Sequence, residues 1–290
     1  MIGPVRGFRV SLLGLRLAVV TDSPPIADVL ERYILPWLPR APIGDETVDR
    51  LVEVRQAADG AGFEIRVDGV LVGTASDPMA AIPRVHRVVD EMVVRSQTVF
   101  AVVHAGVVAH GGRAIILPGP SRSGKSTLVA GMVGEGAHYF SDEYALIDAD
   151  GLVHAYPRPL LLRDASGEDR PPRLATEMGG TVASEPLPVG LIVGLRHVPA
   201  AAPSLRATSQ AEGMLLLLRN TPQALVDQPW ILTPLSRAVR GAACYVGLRE
   251  EAGEATTAIL QLASSVARDE GSRWPPGASR PASAASVATP

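Results

Sequence analysis

The sequence predicts a mixed α/β chain of the α+β class, and three observations support this expectation. The 290 residues are 47% hydrophobic, which is enough for one large core or two modest ones. Short runs rich in β-branched residues alternate with amphipathic helical patterns. One strand pattern runs directly into a glycine-rich loop, and a helical pattern follows that loop.

Residues 1–97 are predicted to form a small α+β unit. FRVSLLG and LRLAVVT indicate strands, IADVLERYILPWL has helical spacing until Pro36, and VEVRQAADGAGFEIRVDGVLVGTAS is typical of a strand meander. The helix-start and turn signals are, in chain order, Asp22 to Pro25, Asp59-Gly60, Asp68-Gly69 and Asp77-Pro78. This unit shows no recognisable chemistry, so acceptor binding, assembly and support of the core all stay open as its role.

Residues 98–268 are predicted to form the main unit. FAVVHAGVVA and RAIILP indicate a hairpin that turns at His110-Gly111-Gly112. HYFSDEYALIDADGLVHAYPRP indicates further strands, LPVGLIVGLRHV and AACYVGLRE extend the core, and LLLLRNTPQAL is helical. The helix after the glycine-rich loop has the apolar face Leu128, Val129, Met132 and Val133.

Two segments are expected to lie outside this core. Residues 165–185, which contain proline, glycine and acidic residues, indicate a mobile loop. Residues 269–290 are rich in proline, serine and alanine and predict a disordered tail. The single cysteine, Cys244, excludes an internal disulfide and is expected in the core.

The glycine-rich loop has the pattern of a phosphate-binding loop. GPSRSGKS fits GxxxxGK[ST] and stands between a strand and a helix, which is the context in which the pattern is meaningful. The residues expected to bind a nucleotide are Gly119, Pro120, Ser121, Arg122, Ser123, Gly124, Lys125, Ser126 and Thr127. The glycines let backbone N–H groups point at the phosphates, and Lys125 can reach the β and γ oxygens. The hydroxyl of Ser126 is placed to bind Mg²⁺.

Lys125 is the only lysine among the 27 basic residues of the chain. The other 26 are arginines, so the chain uses arginine almost everywhere that it needs a cation. A guanidinium is planar and forked and does not replace a compact ammonium in a tight phosphate loop. The position of the single lysine therefore supports the interpretation of the loop.

A pair of acids, Asp142-Glu143, follows the next predicted strand. Carboxylates at such a strand end can bind Mg²⁺ or accept a proton, although a plain surface turn also contains adjacent acids. His104 lies on the strand before the loop strand, so hairpin pairing would bring it beside the loop and near Asp142, where it could orient that carboxylate. The alternative for His104 is a polar residue on a half-buried strand.

At these residues the sequence resembles the catalytic domain of the bacterial HPr kinase/phosphorylase family. The likeness covers residues 100–163, with a weaker case to about residue 265. It rests on the order of His104, a small-residue strand, the HGG turn, an apolar strand, GPSRSGKST, a short helix ending in Gly136, and FSDE. The resemblance implies a PEP-carboxykinase-like fold with His104 in the active site. It further implies that Asp142 deprotonates a serine hydroxyl and that Lys125 and Ser126 contact ATP and Mg²⁺.

The chain departs from that family in two respects. Family members tend to have two adjacent aspartates where this chain has Asp142-Glu143, so which acid is the base and which binds metal stays open. The longer downstream signature for docking HPr is missing. The segment 156–163, YPRPLLLR, instead resembles HPr-kinase-related enzymes of peptide-modification gene clusters, including lasso-peptide kinases. Arg158 and Arg163 would then clamp phosphates or an acidic peptide, or else lie at the surface.

These residues predict ATP- and Mg²⁺-dependent phosphoryl transfer to a hydroxyl, with serine of a protein or peptide as the first choice. The alternatives are a nucleotide-binding switch that transfers no phosphoryl group, and a kinase for a small-molecule hydroxyl. The acidic pair favours a kinase, since a sensor needs no proton acceptor. The acceptor, phosphorolysis and the oligomeric state, homo-oligomer included, stay open.

The composition limits the classes of partner and the cellular location that we expect for the protein. A net charge of -3 gives no basic footprint, so no nucleic-acid partner is expected. The N-terminal apolar stretches are interrupted by arginines and indicate strands and not a signal peptide, and the apolar run at 213–218 is too short to span a bilayer. We therefore expect a cytoplasmic protein without a membrane segment.

Overall fold

The computed structural model describes residues 5–34, 47–164, 170–199, 204–226, 229–250 and 252–273. Within these ranges the chain forms two mixed β-sheets that are covered by α-helices. The predicted mixed α/β composition of the α+β class is therefore confirmed. No helix in the described ranges has both the length and the apolar character needed to cross a membrane.

The first sheet contains five strands in the order β1-β2-β3-β4-β5. They are β1 (Arg6–Leu12), β2 (Leu15–Thr21), β3 (Arg50–Gln56), β4 (Phe63–Val67) and β5 (Val70–Ala75). Only the β2–β3 pair is parallel, and the other neighbours are antiparallel. Asp68 and Gly69 join β4 to β5 with φ angles of 50° and 80°, as a tight hairpin turn requires. The predicted strand meander is confirmed.

Two helices pack on this sheet, α1 (Pro24–Tyr33) and α2 (Pro78–Ser96). Both begin where proline in the first turn predicts a helix start. The Asp77 carboxylate caps α2 by accepting a hydrogen bond from Ala80 N at 2.9 Å, whereas the Ser23 side chain makes no cap at α1. The predicted end of α1 at Pro36 lies outside the described residues.

The second sheet contains eight strands, with the order β10-β9-β6-β7-β11-β13-β12 and with β8 paired to β6 beside β9. They are β6 (Ala101–His110), β7 (Arg113–Pro118), β8 (His138–Ser141), β9 (Tyr144–Ile147), β10 (Leu152–His154), β11 (Leu187–His197), β12 (Ser204–Thr208) and β13 (Ala243–Arg249). β11 is parallel to β7 and β13, and the remaining pairs are antiparallel. The predicted hairpin of β6 and β7 turns at Gly111 and Gly112, which both have positive φ.

Helices cover both faces of the second sheet. They are α3 (Lys125–Gly134), α4 (Gln210–Arg219), α5 (Leu232–Arg240) and α6 (Ala252–Arg273). Adjacent residues of β6, Val107 and Val108, belong to different hydrophobic clusters because strand side chains alternate between faces. The cluster of Val107 includes Leu217 and Leu235 of α4 and α5, and the cluster of Val108 includes the predicted apolar face of α3.

A shared core joins the two sheets. Val102, Leu146 and Tyr156 come after α2 in the chain but pack in the hydrophobic cluster of the first sheet. Cys244 is buried, as expected.

α6 extends to Arg273 and so includes the start of the predicted tail, whose residues 274–290 lie outside the described residues. The predicted loop contains a short 3-10 helix, Ala175–Met178, and its residues 165–169 are not described.

Candidate functional site

The glycine-rich loop, residues 119–126, connects β7 to α3, so the predicted order of strand, loop and helix is confirmed. Gly124 has a φ of 81° and stands directly before Lys125, the first residue of α3. A Cβ at Gly124 would overlap the Arg249 guanidinium. Both the backbone angle and the close approach therefore require glycine at this position.

Arg249 supports the loop from the end of β13. Its side chain is buried, and Nη2 donates a hydrogen bond to the Ser123 carbonyl at 2.7 Å. Sequence reasoning missed this residue. The available signal was an arginine that directly follows the apolar strand pattern AACYVGL, because a charged group at the end of a buried strand needs a partner.

Lys125 is only 7% exposed, and its ammonium faces the loop. Nζ donates to the carbonyls of Gly119 and Pro120, both at 2.9 Å. Burial lowers the pKa of Lys125 from its ordinary value, and the negative charges of Glu143 and Asp142 act in the opposite direction. α3 can lie this close to β6 because the strand has Gly106, where a Cβ would be 2.7 Å from the Val129 side chain.

Asp142 lies in the turn between β8 and β9, and it is 1% exposed. Both strands pair with β6, which positions this turn beside the loop. Oδ1 accepts hydrogen bonds from Tyr139 Oη at 3.2 Å and from Arg158 Nε at 3.4 Å. Oδ2 is buried and has no hydrogen-bond partner among the described residues. One oxygen of this carboxylate is therefore anchored, and the other accepts no hydrogen bond in the described structure.

His104 lies beside the loop, as hairpin pairing predicts, but its side chain contacts a different acid from the one expected. The His104 carbonyl accepts a hydrogen bond from Gly119 N at 3.3 Å. Its Nε2 lies 3.3 Å from Glu143 Oε1. The expectation that His104 would orient Asp142 is thus replaced by a contact with Glu143, because β6 pairs His104 with Tyr144 and so aligns it with that end of the turn.

Arg158 is buried at the centre of three carboxylates, so the alternative of a surface role is wrong. Its Nη1 is 2.5 Å from Asp90 Oδ2, its Nη2 is 3.1 Å from Glu143 Oε2, and its Nε is 3.4 Å from Asp142 Oδ1. The planar guanidinium presents donors in several fixed directions, which suits it to hold three acids at once.

Two of the acids that contact Arg158, Asp90 and Glu143, have pKa values that shift in opposite directions. Burial raises the pKa of Asp90 to about 7, although the charge of Arg158 opposes the shift. Burial would also raise the pKa of Glu143, but the His104 hydrogen bond and the Arg158 charge lower it to about 2. Of these two acids, Asp90 therefore takes a proton more readily than Glu143 does.

These groups border a cavity of about 980 Å³, at the upper end of the usual range for ligand sites. Its lining residues are Pro83, Arg87, Asp90, Glu91, His104, Ser121, Arg122, Gly124, Lys125, Ser126, Thr127, Asp142, Glu143, Tyr144, Arg158, Leu161, Leu162 and Arg163. Of the predicted site residues, Gly119, Pro120 and Ser123 are not among them. These three act through their carbonyls, which hold Lys125 and Arg249.

One wall of the cavity comes from α2, where sequence reasoning found no chemistry. Pro83, Arg87, Asp90 and Glu91 recur at helical spacing and face the same space as the loop. The missed signal was Asp90, an acid on the apolar face that also contains Val89 and Val93. A buried acid on such a face requires a partner elsewhere in the chain.

No group of three or more His, Cys, Asp or Glu side chains is placed to hold a metal within the described ranges. Ser126, Asp142 and Glu143 nevertheless border one cavity, and hydroxyl and carboxylate oxygens are ligands that suit Mg²⁺. Such a site would need phosphate oxygens to complete it, which is usual for Mg²⁺ bound with a nucleotide. No protein-family model and no curated protein matches the chain.

Proposed function

We propose that the protein is a kinase that transfers the γ-phosphoryl group of ATP to a hydroxyl of a protein or peptide, with serine as the first choice. The observation that carries this proposal is the Asp142 carboxylate, whose buried Oδ2 has no hydrogen bond in the described structure and which lines the same cavity as Lys125 and Ser126. The resemblance to the HPr kinase/phosphorylase family, with the PEP-carboxykinase-like fold that it implies, supports the same reaction.

The loop provides the phosphate-binding groups of the proposed site. Gly124 lets the backbone turn directly into α3, whose first N–H groups and positive end favour an anion. The Lys125 ammonium has three donors and can exchange its contacts with the Gly119 and Pro120 carbonyls for phosphate oxygens. Arg122 borders the same space and adds positive charge.

The residues also fit a magnesium ion bound with the nucleotide. The Ser126 hydroxyl and the Glu143 carboxylate would hold it, and Asp142 would then be left as the base. When bound, Mg²⁺ supplies positive charge that offsets the charge of the phosphates.

Asp142 is the better candidate for the base. Both oxygens of Glu143 already have partners, His104 and Arg158, whereas only one oxygen of Asp142 does. Asp142 Oδ2 would accept the proton of the acceptor hydroxyl as the acceptor oxygen bonds to the γ-phosphorus. The bond from that phosphorus to the bridging oxygen breaks, and ADP leaves with the electron pair.

The test is incubation of the purified protein with γ-labelled ATP, Mg²⁺ and cell extract. We expect label in a protein or peptide fraction, and the same reaction with Asp142→Asn serves as the control. Label only in small molecules would favour the small-molecule kinase. Label only in inorganic phosphate, or no turnover despite ATP binding, would contradict the proposal and favour the nucleotide-binding switch.

A further inference from the structure

Asp90 belongs to neither the loop nor the acidic turn, yet it is built into the same cluster. It lies on α2, which packs on the first sheet, and it is 3% exposed. Oδ1 accepts a hydrogen bond from Tyr156 Oη at 2.7 Å, and Oδ2 pairs with Arg158 Nη1. Both oxygens of this buried carboxylate are therefore engaged by residues of the second half of the chain.

The second partner, Arg158, connects Asp90 to the proposed base. Arg158 Nε donates to Asp142 Oδ1, and Nη2 of the same plane contacts Glu143. Because a guanidinium is rigid and flat, fixing Nη1 also fixes the directions in which Nε and Nη2 donate. The position of Asp142 Oδ1 thus depends on a carboxylate that comes from α2.

We propose that Asp90 is a positioning residue for phosphoryl transfer. From α2 it fixes the plane of Arg158, which anchors Asp142 Oδ1 and so sets the orientation of the Asp142 carboxylate. This inference rests on the proposed kinase function and adds that the first sheet, through α2, is part of the catalytic apparatus. It concerns the transfer step and not nucleotide binding, because the side-chain partners of Asp90 in the described structure, Tyr156 and Arg158, both lie outside the loop.

The main experiment compares Asp90→Ala, Asp90→Asn and the wild type in label transfer from γ-labelled ATP to extract protein. We expect kcat to fall about 10–100-fold in Asp90→Ala, as for a small misplacement of a reacting group. KM for ATP should change less than about threefold, since the phosphate-binding groups are untouched. Asp90→Asn keeps one acceptor oxygen and should recover part of the rate. The control is Asp28→Asn on α1. This acid is exposed, and its ion-pair partner in the described structure, Arg6, is exposed as well.

Two further variants, Arg158→Lys and Tyr156→Phe, test the same positioning role through the two partners of Asp90. Arg158→Lys replaces the fork by a single ammonium, so its loss of rate should not add to that of Asp90→Ala. If Asp90→Ala does not fold, Tyr156→Phe removes the other contact of Asp90 without a change in charge and should also lower kcat more than it raises KM. A kcat within twofold of the wild type in folded Asp90→Ala, or additive losses with Arg158→Lys, would overturn the proposal.

A direct readout does not depend on activity. In ¹⁵N-edited NMR spectra, the Arg158 Nε–H should exchange slowly with water in the wild type and at least tenfold faster in Asp90→Ala. An unchanged exchange rate would contradict the positioning role even if no acceptor were found. A kinase assay without label transfer by the wild type, together with fast Nε–H exchange in the variant, would instead contradict only the proposed function.

Discussion

At the scale of single residues, Lys125 is a buried cation whose ammonium is held closely by the loop. Its ammonium donates to two carbonyl oxygens of the loop, both at 2.9 Å. The other 26 residues among the lysines and arginines of the chain are all arginines. A guanidinium is wider and directs its donors in a plane, so we do not expect it to fit between these carbonyls and the phosphates of the proposed nucleotide. We therefore expect the proposed site to need the ammonium itself and not only its charge.

Lys125→Arg should weaken ATP binding although it keeps the charge. We expect the Kd for ATP and Mg²⁺ to rise about 10–100-fold, which corresponds to the loss of one or two charge-assisted hydrogen bonds. Isothermal titration calorimetry measures this change. Arg240→Lys, at the exposed end of α5, is the reverse exchange away from the cavity and should leave the Kd unchanged. Equal Kd values for Lys125→Arg and the wild type would contradict this account of the loop.

The raised pKa of Asp90 predicts a stability change with pH. Its ordinary pKa is 3.8 and its folded pKa is about 7, so the folded protein keeps a proton that the unfolded chain releases in this interval. Stability from this group is therefore fully present below about pH 4 and is lost as pH rises to about 7. Glu143, with a folded pKa of about 2, acts in the opposite direction at lower pH.

Denaturant unfolding of the wild type and Asp90→Asn between about pH 4 and pH 7 measures this effect. The free energy of unfolding of the wild type, minus that of the variant, should fall with rising pH at up to ~1.4 kcal/mol per pH unit. All other titrating groups are common to both proteins and cancel in the difference. A difference that stays flat or rises would show that Asp90 is charged throughout this interval.

At the scale of elements, the turn into α3 depends on Gly124 and on its contact with Arg249. Any larger residue would take a strained positive φ and displace the guanidinium that holds the Ser123 carbonyl. Gly134, the last residue of α3, offers a contrast, because a Cβ there would meet no atom within 4 Å. The two glycines have therefore different reasons to be present.

Gly124→Ala should lower the free energy of unfolding by about 1–3 kcal/mol and weaken ATP binding. Gly134→Ala should leave stability unchanged or raise it by up to about 1 kcal/mol, because alanine is the better helix former. Thermal unfolding of both variants, with calorimetric titration of ATP, separates the two effects. A Gly124→Ala protein as stable and as tightly binding as Gly134→Ala would contradict the described loop.

The elements that sequence reasoning identified are those with local signatures. The glycine-rich loop, the apolar face of α3 and the turns at Asp68-Gly69 and Gly111-Gly112 are each encoded within a few residues. The contact of Asp90 with Arg158 joins residues 68 positions apart and has no such signature. The role of α2 in the cavity could not be predicted for this reason, although the acid on its apolar face was visible.

At the scale of the whole molecule, the fold class followed from the alternation of patterns, but the sheet order did not. β11 pairs with β7 and β13, and β12 returns on the far side of β13, so neighbours in the sheet are distant in sequence. Such non-local pairing leaves no periodicity to read. The strand pairing nevertheless determines the site. Because β6 pairs with β7, β8 and β9, His104, the loop and the acidic turn lie close together.

The core that joins the two sheets predicts cooperative unfolding. Leu146 of β9 is fully buried in the cluster of the first sheet, so Leu146→Ala should cost about 2–5 kcal/mol. Circular dichroism and tryptophan fluorescence should report the loss in one shared transition, at a lower temperature than in the wild type. Leu71→Ala, on the exposed edge strand β5, is the control and should change the midpoint little. Separate transitions for the two signals would contradict a shared core.

The central claim is that Lys125 and Asp142 act on one bound ATP, the first as a binding group and the second as a base. Asp142→Asn is the direct test, since it keeps the shape of the side chain and removes its ability to accept the proton. We expect ATP and Mg²⁺ to bind with a Kd within about tenfold of the wild type while label transfer slows about 10²–10⁴-fold. Transfer by Asp142→Asn at the wild-type rate would contradict the claim.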